Sequence, residues 1–343
     1  MADTKKEHYV PRCYLENFEG EDSRIKVYDK AIMQVRNQLK SEIAAENYFY
    51  DIDFDKMMQK VDSSEHETIK NDIKKIVGID DWDTIVNTVL NPKHIEKGFL
   101  CKVESFYGPL LKEIIKKSYN GNEWVMKNCK PFSEEEKTFL SLFIAIQIVR
   151  TRAFRDIMKQ TYEKFYEAFA YKQQMNDTDS LPRECFKASV NDDFIKLEHS
   201  GMLLDEETAV HFAETLMNHI WVMYVNKTDQ PFYTSDNPIS TIPHKHDKHI
   251  SYGGFASEGV EVVFPVSPNL LIAMYEKKWH SKVYDDRTFV PIYDKKHVDY
   301  YNYAQVVNSF RCIYSQKENF DIAKKICDEH PEIRDPSSRV TVG

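Results

Sequence analysis

Glycine is scarce in this chain, with only 10 glycines among 343 residues, whereas hydrophobic residues make up 42% and aromatic residues 13%. This composition excludes collagen-like and low-complexity disordered proteins, and it predicts a globular fold. A chain of this length can bury a core large enough to fold without a structural metal or a disulfide.

The sequence also lacks the signals of secretion and of membrane insertion. The six cysteines contain no CxxC pair, and no charged-then-apolar leader opens the chain. This pattern is typical of reduced thiols in a cytosolic protein. The nearest approach to a spanning segment, at 139–149, is too short to cross a bilayer, so we expect a cytoplasmic protein with no membrane partner.

Positive charge is not in excess, because the 46 Lys and Arg residues are outnumbered by 55 Asp and Glu residues, which gives a net charge of -9. The chain as a whole therefore does not attract nucleic acid, and an RNA substrate would need a local basic groove. The lysines near 74–78 and 112–117 are interleaved with acidic residues, which is typical of solvated helix faces. No Walker loop, GxGxxG, GxSxG, HExxH or zinc-ribbon spacing occurs, so the standard nucleotide-binding and hydrolase motifs are excluded.

The order of the sequence patterns predicts an α+β fold in one intertwined domain, residues 1–343. An N-terminal hairpin and motif occupy 1–50, and helical spacing dominates 51–218. β-Branched and aromatic runs over 219–316 predict a mostly antiparallel C-terminal sheet, which the N-terminal hairpin joins. A terminal helix and tail, 317–343, complete the chain.

The helical part contains one long predicted helix that packs on the sheet. It begins at a capping box formed by Ser133 and Glu136 and runs to about Met175. Its first half is apolar on nearly every side, which predicts a buried central helix. Earlier in the chain, "SEIAAENYFYD" (41–51) is expected to form one or two helical turns.

Two polar residues, Gln147 and Arg150, interrupt the apolar half of that helix and point in nearly the same direction. A guanidinium among apolar side chains needs a carboxylate or an anionic ligand. It can therefore belong to an ion pair in the core or to the floor of an anion pocket. Asp236, at the end of the strand in "TSDNP", is the expected counter-charge. The alternative is that Ser235 and Asp236 hydrogen-bond only their own turn.

Histidines supply two further candidates. His8 lies in an apolar setting, where it can act as a general acid or base or simply pack. His244, His246 and His249 are close together in the loop "PHKHDKH", but they lack the framework spacing of known metal sites. They are a weak candidate site for a divalent metal, with a solvated loop as the alternative, and the cofactor is left unknown.

Six blocks of the sequence resemble, in order, the bacterial domain-of-unknown-function family 4238, whose members begin with an HYVP-type motif. The blocks are HYVPRCYLENF (8–18), AAENYFY (44–50), FIAIQIVRTRAFR (143–155), FYTSDNPI (232–239), FPVSP (264–268) and NYAQVVNSFRCIYS (302–315). The resemblance covers residues from about 6 to 316. It implies a bacterial antiviral, anti-phage defence effector, because relatives resemble single-gene antiviral systems. The resemblance assigns no role to any residue.

Residues and resemblance together lead us to expect an enzyme with one cleft between the helical middle and the C-terminal sheet. The expected catalytic residues are His8, Arg150 and Asp236, and the expected substrate-binding residues are Gln147, Ser235, Asn237 and Asn302. The expected reaction is hydrolysis of a phosphodiester, with RNA favoured and a nucleotide or NAD as the alternative substrate.

The rival hypothesis is a non-catalytic toxin or a sensor of a phage protein, in which the same polar residues only stabilise the core. The two hypotheses differ in the burial that they predict for the polar side chains. Sealed and mutually paired side chains indicate a structural role, whereas side chains that line an open cleft favour catalysis. The oligomeric state is left open.

Overall fold

The computed structural model of the protein describes residues 6–59, 61–91, 93–119, 123–174, 181–248 and 250–338. Helices fill most of the middle of the chain, as the spacing of its apolar residues predicts. The helices are α1 (Arg12–Leu15), α2 (Phe54–Gln59), α3 (His66–Val77), α4 (Trp82–Asn87), a π-helical segment (His94–Leu100), α5 (Cys101–Tyr119), α6 (Glu123–Asn128), α7 (Glu134–Val149), α8 (Arg152–Gln174), α9 (Asp192–Leu204), α10 (Glu206–Met217), α11 (Lys277–His280), α12 (Lys295–Asn308) and α13 (Asp321–Glu329).

The strands lie at the two ends of the chain. They are β1 (Lys6–His8), β2 (Ile25–Asp29), β3 (Gln34–Gln38), β4 (Ala45–Asn47), β5 (Ile220–Asn226), β6 (Thr234–Ser235), β7 (Ser240–Pro243), β8 (Val260–Ser267), β9 (Leu270–Tyr275), β10 (Thr288–Ile292) and β11 (Cys312–Ser315).

The C-terminal part builds a five-stranded sheet in the order β10-β5-β9-β8-β7. Strands β5, β8 and β9 are buried along their whole length, which explains why their sequences are nearly continuous apolar runs rather than alternating ones. β10 runs parallel to β5, and the other neighbours in this sheet are antiparallel. The predicted α+β class with a mostly antiparallel C-terminal sheet is therefore confirmed.

The N-terminal hairpin, β2 and β3, joins strands from the other end of the chain. It belongs to a four-stranded sheet in the order β3-β2-β11-β6, in which Tyr28 of β2 lies opposite Ile313 of β11. The predicted association of the hairpin with C-terminal strands is confirmed. These four strands form a sheet of their own instead of extending the larger one.

The stretch "SEIAAENYFYD" contains strand β4, so the prediction of helical turns there was wrong. β4 pairs antiparallel with β1, and His8 lies opposite Ala45. Left-handed backbone at Ala44 (φ 48°) and at Tyr48 (φ 57°) bounds the strand on both sides. Such residues do not continue a right-handed helix. Pairing with a distant segment thus overrides the helical preference of the local sequence.

The predicted long helix consists of two helices, α7 and α8. The capping box at Ser133 is present, and the predicted burial of the first half is observed in α7. The break comes at Thr151, whose Oγ accepts a hydrogen bond from Phe154 N–H at 3.2 Å and donates one to the Ile148 carbonyl at 3.0 Å. A threonine side chain thereby caps the new helix. The predicted end at Met175 lies outside the described residues.

The five-stranded sheet divides the core into two parts. One face, with Val262 and Phe264, packs against α5 and α7. The other face, with Val263, packs against Val298 and Tyr301 of α12. In the part of the chain that the structure describes, no helix is both long enough and apolar enough to span a membrane.

Candidate functional site

The N-terminal segment around His8 is held by the end of the buried helix α7. Arg150 Nη2 donates a hydrogen bond to the His8 carbonyl at 2.6 Å, and Gln147 Nε2 donates one to the Tyr9 carbonyl at 3.2 Å. Gln147 and Arg150 therefore reach the same segment, as their spacing predicts. Pro11 follows immediately before α1, where its fixed φ suits the start of a helix.

Arg150 forms its ion pair with Glu104 of α5. Arg150 Nη1 donates to Glu104 Oε1 at 2.9 Å, and the arginine is only 1% exposed. The prediction that Asp236 is the counter-charge was wrong, because that carboxylate is occupied by main-chain groups of another segment. The ion pair offsets the cost of burying the guanidinium charge.

Asp236 accepts hydrogen bonds from three consecutive main-chain N–H groups at the start of β11. Oδ1 accepts from Phe310 N–H at 2.8 Å, while Oδ2 accepts from Arg311 N–H at 2.8 Å and from Cys312 N–H at 2.7 Å. The residue is 1% exposed. Burial raises the pKa of the Asp236 carboxyl group, and the three N–H groups oppose that change. The carboxylate thus anchors a turn, with both of its oxygens engaged.

The predicted substrate-binding residues of "TSDNP" and α12 belong to the same buried network as Asp236. Ser235 Oγ donates to Gln305 Oε1 at 3.0 Å, and Asn237 Nδ2 donates to the Asn308 carbonyl at 2.9 Å. Asn302 hydrogen-bonds the main chain just before β6. Ser235 Oγ also accepts from Asn237 N–H at 3.2 Å, which is the local turn of the alternative interpretation. Together these bonds hold β6 against α12.

The predicted site residues therefore fall into two neighbouring networks. His8, Gln147 and Arg150 lie together in one. The other contains Asp236 with its neighbours in "TSDNP" and on α12. Tyr9 lies between them: its carbonyl bonds to Gln147, and burial followed by the charge of Asp236 raises the pKa of its phenol.

A polar cluster surrounds His8, and we call it the His8 centre; its members are His8, Glu96, Glu104, Gln147 and Arg150. Glu96 lies in the π-helical segment and hydrogen-bonds the main-chain N–H of His8. π-Helical turns are frequent at functional sites. Four buried atoms of the centre have no hydrogen-bond partner among the described residues, namely His8 Nε2, Glu96 Oε2, Gln147 Oε1 and Arg150 Nε. Buried polar atoms are normally paired, so this is a place where a ligand or water can supply partners.

The groups of the centre are shifted toward different protonation states. Burial, followed by the charges of Arg12 and Arg150, lowers the pKa of His8 to about 4. Burial raises the pKa of Glu96, which Arg150 opposes. Burial also raises the pKa of the neighbouring Glu7 to about 7. Near neutral pH the imidazole is uncharged and can accept a proton, and burial favours the protonated forms of Glu7 and Glu96. Acid–base catalysis uses this kind of divergence.

The His8 centre approaches the surface beside Arg12, Cys101 and Glu104. The Glu104 side chain is 23% exposed, and Arg12 and Cys101 are exposed. The charges of Glu104 and Arg12 both act on Cys101, which places these groups close together. This edge presents a carboxylate beside a guanidinium, so its charge is mixed rather than strongly basic.

Sequence reasoning missed the three glutamates at positions 7, 96 and 104. For Glu104 a signal exists, because it lies four residues after Leu100 and seven before Leu111, both of which are buried. A charged residue on the apolar stripe of a helix indicates a buried partner. The partner itself could not be read from the sequence, because it comes from another helix.

The histidine loop does not form a metal site within the described residues. His244 Nε2 lies 2.8 Å from Glu261 Oε2, and His246 is exposed. His249 lies outside the described residues. No group of three or more His, Cys, Asp or Glu residues in the described ranges is arranged to hold a metal ion.

A protein-family model matches most of the chain. The family model described as "Protein of unknown function (DUF4238)" matches residues 6–319. Neither a curated protein nor a solved structure matches the chain.

Proposed function

The chain belongs to the DUF4238 family of proteins of unknown function, and from that premise we propose that it is an anti-phage defence effector that hydrolyses a phosphate-containing substrate at the His8 centre. The observation that carries the proposal is a group of four buried polar atoms that have no hydrogen-bond partner among the described residues and come from three segments of the chain: β1, the π-helical segment and the end of α7. One of them belongs to the His8 imidazole, which is uncharged near neutral pH. The antiviral setting rests on the resemblance of the six sequence blocks to this family, whose relatives resemble single-gene antiviral systems.

In the proposed reaction, His8 Nε2 accepts a proton from a water molecule while the water oxygen forms a bond to phosphorus. The bond from phosphorus to the leaving oxygen breaks, and the Glu96 carboxyl group in its acid form, which burial favours, gives its proton to that oxygen. Arg150 Nε donates a hydrogen bond to a non-bridging oxygen, and Gln147 Oε1 orients the water. Asp236 has no part in this scheme, because three N–H groups occupy its oxygens.

The substrate class follows from the charge around the centre. Its exposed edge carries Glu104 beside Arg12, and the net charge of the chain is -9. Both features favour a nucleotide, NAD or another small phosphate ester over a long RNA, which needs a basic groove. RNA stays as a second substrate to be assayed.

The test compares two buried histidines, each with an unpartnered Nε2 among the described residues. His8→Gln alters the centre, and His219→Gln, immediately before β5, is the matched control. Three properties of both variants are measured: protection in phage plaquing, hydrolysis of nucleotides, NAD and an RNA oligomer, and the melting temperature. We expect His8→Gln to lose protection and hydrolysis by about a hundredfold or more at an unchanged melting temperature, and His219→Gln to keep both. Hydrolysis by His8→Gln at the wild-type rate, or no hydrolysis by the wild type, would contradict the proposal.

A non-catalytic toxin or phage-protein sensor is the second candidate, and the sealing of two predicted catalytic residues favours it. Arg150 and Asp236 are each 1% exposed, and both terminal nitrogens of Arg150 have partners. In that case His8→Gln would lose protection only in proportion to a fall in melting temperature. Purified wild-type protein would then leave all three substrates intact.

A further inference from the structure

A second group of polar side chains, which contains buried and exposed members, lies on the face of the five-stranded sheet that α12 covers. We call it the Glu261 cluster; its members are Glu261, His244, His280, Tyr275 and Tyr300. Glu261, on β8, is 1% exposed. Its Oε2 lies 2.8 Å from His244 Nε2 and accepts a hydrogen bond from Tyr300 O–H at 3.3 Å. Its Oε1 has no hydrogen-bond partner within the described ranges.

His280 presents a second acceptor to the same cluster. It is 6% exposed, and its Nε2 also has no partner in the described part of the chain. Burial lowers the pKa of His280, while a hydrogen bond with the main chain of Gly259 raises it less. The imidazole is therefore neutral near pH 7. A neutral imidazole has one acceptor nitrogen, and Nε2 takes that role when Nδ1 carries the proton.

Aromatic rings lie around His280. The His280 ring centroid lies 5.1 Å from that of His244 and 5.0 Å from that of Tyr275. Tyr275 in turn stacks on Tyr284 at 4.1 Å. The Tyr275 hydroxyl shares a hydrogen bond with the Tyr224 hydroxyl at 2.8 Å and therefore has a partner of its own. The faces of such rings attract cations.

We propose that the Glu261 cluster binds the ammonium group of a small organic amine. Two buried atoms, Glu261 Oε1 and His280 Nε2, have no partner among the described residues. N–H donors can supply both partners, and a positive charge stabilises a buried carboxylate. The side chain of His244 is 35% exposed and offers a route from solvent. A metal ion does not fit, because no group of three ligating residues in the described ranges is arranged to hold one. This site is separate from the His8 centre and does not depend on the proposed function.

The experiment is calorimetric titration of the full chain with methylammonium chloride, with sodium chloride as the ionic-strength reference. Glu261→Gln keeps the side-chain shape and removes the charge. Glu258→Gln is the matched control, because Glu258 lies three residues earlier and pairs with Lys245 outside the cluster. We expect saturable binding of methylammonium by the wild type and by Glu258→Gln, weakened about tenfold or more in Glu261→Gln.

Two further measurements keep the proposal open to refutation. Tetramethylammonium, which has no N–H group, should bind more weakly than methylammonium. If Glu261→Gln does not fold, His280→Phe replaces it and should weaken methylammonium binding about fivefold or more, because it removes an acceptor and keeps an aromatic ring. The proposal is overturned if the wild type shows no saturable binding beyond sodium chloride, if the decisive variant binds like the wild type, or if tetramethylammonium binds as tightly as methylammonium.

Discussion

Replacement of Asp236 by asparagine tests whether this carboxylate anchors the fold. The change is nearly isosteric, but it replaces one acceptor oxygen by an NH₂ group. The carboxylate accepts from Phe310 N–H through one oxygen and from Arg311 and Cys312 N–H through the other. Whichever way the amide is placed, its NH₂ group faces at least one of these N–H donors. The variant therefore loses one or two hydrogen bonds to a charged acceptor and gains a contact between two donors.

Hydrogen bonds to charged groups contribute about 1.5–3 kcal/mol each, and relief from burying an ion offsets part of the loss. We expect the free energy of unfolding to fall by about 2–4 kcal/mol. For a chain of this length, that corresponds to a lowering of the melting temperature by about 3–6 °C.

Urea unfolding and thermal melting of purified Asp236→Asn are the assays, together with phage plaquing. Asp229→Asn is the control, because Asp229 is exposed and pairs with Lys295 on the surface; it should unfold like the wild type. If Asp236→Asn also unfolds like the wild type, the anchoring role is refuted. Loss of protection at wild-type stability would instead return Asp236 to the list of catalytic candidates.

Two more predictions concern the His8 centre. The pKa of His8 in the folded protein, about 4, lies below its ordinary value of 6.5. Between these two pH values the unfolded chain therefore binds more protons than the folded one. About 3 kcal/mol of stability that is present above pH 6.5 is thus lost as the pH falls to 4. Glu7, with its pKa raised from 4.5 to about 7, acts in the opposite sense, because its contribution to stability is lost as the pH rises through that window. In urea unfolding from pH 4 to 7, Glu7→Gln should therefore steepen the rise in stability with pH, and His8→Gln should flatten it. Parallel curves for both variants would contradict the assignment. Arg150→Ala should lower the free energy of unfolding by about 3 kcal/mol, because it leaves Glu104 and the His8 carbonyl without their donor. The control Arg152→Ala, which removes an exposed pair with Glu46, should lower it only slightly. Equal losses in urea unfolding for the two variants would contradict the reasoning.

The candidate site was only partly predictable. The positions of Gln147 and Arg150 within an apolar helix indicated that both reach a buried polar place, and they do. The counter-charge was misplaced, because "TSDNP" offered an acidic residue at a strand end while Glu104 lay within a helix. Identifying the partner of a buried charge needs the distance between segments, and no local pattern encodes it. The roles of His8, Arg150 and Asp236 in catalysis stay predictions.

Some elements follow from local sequence preferences alone. The capping box at Ser133, the apolar α7 and the continuous apolar strands follow from side-chain preferences and from burial on all sides. Tertiary structure alone decided the rest: β4 became a strand because β1 lies beside it, and Asp236 became an anchor because the start of β11 offers three N–H groups. Local periodicity indicates which residues are buried, whereas the partner of each buried polar group depends on which distant segments the fold brings together.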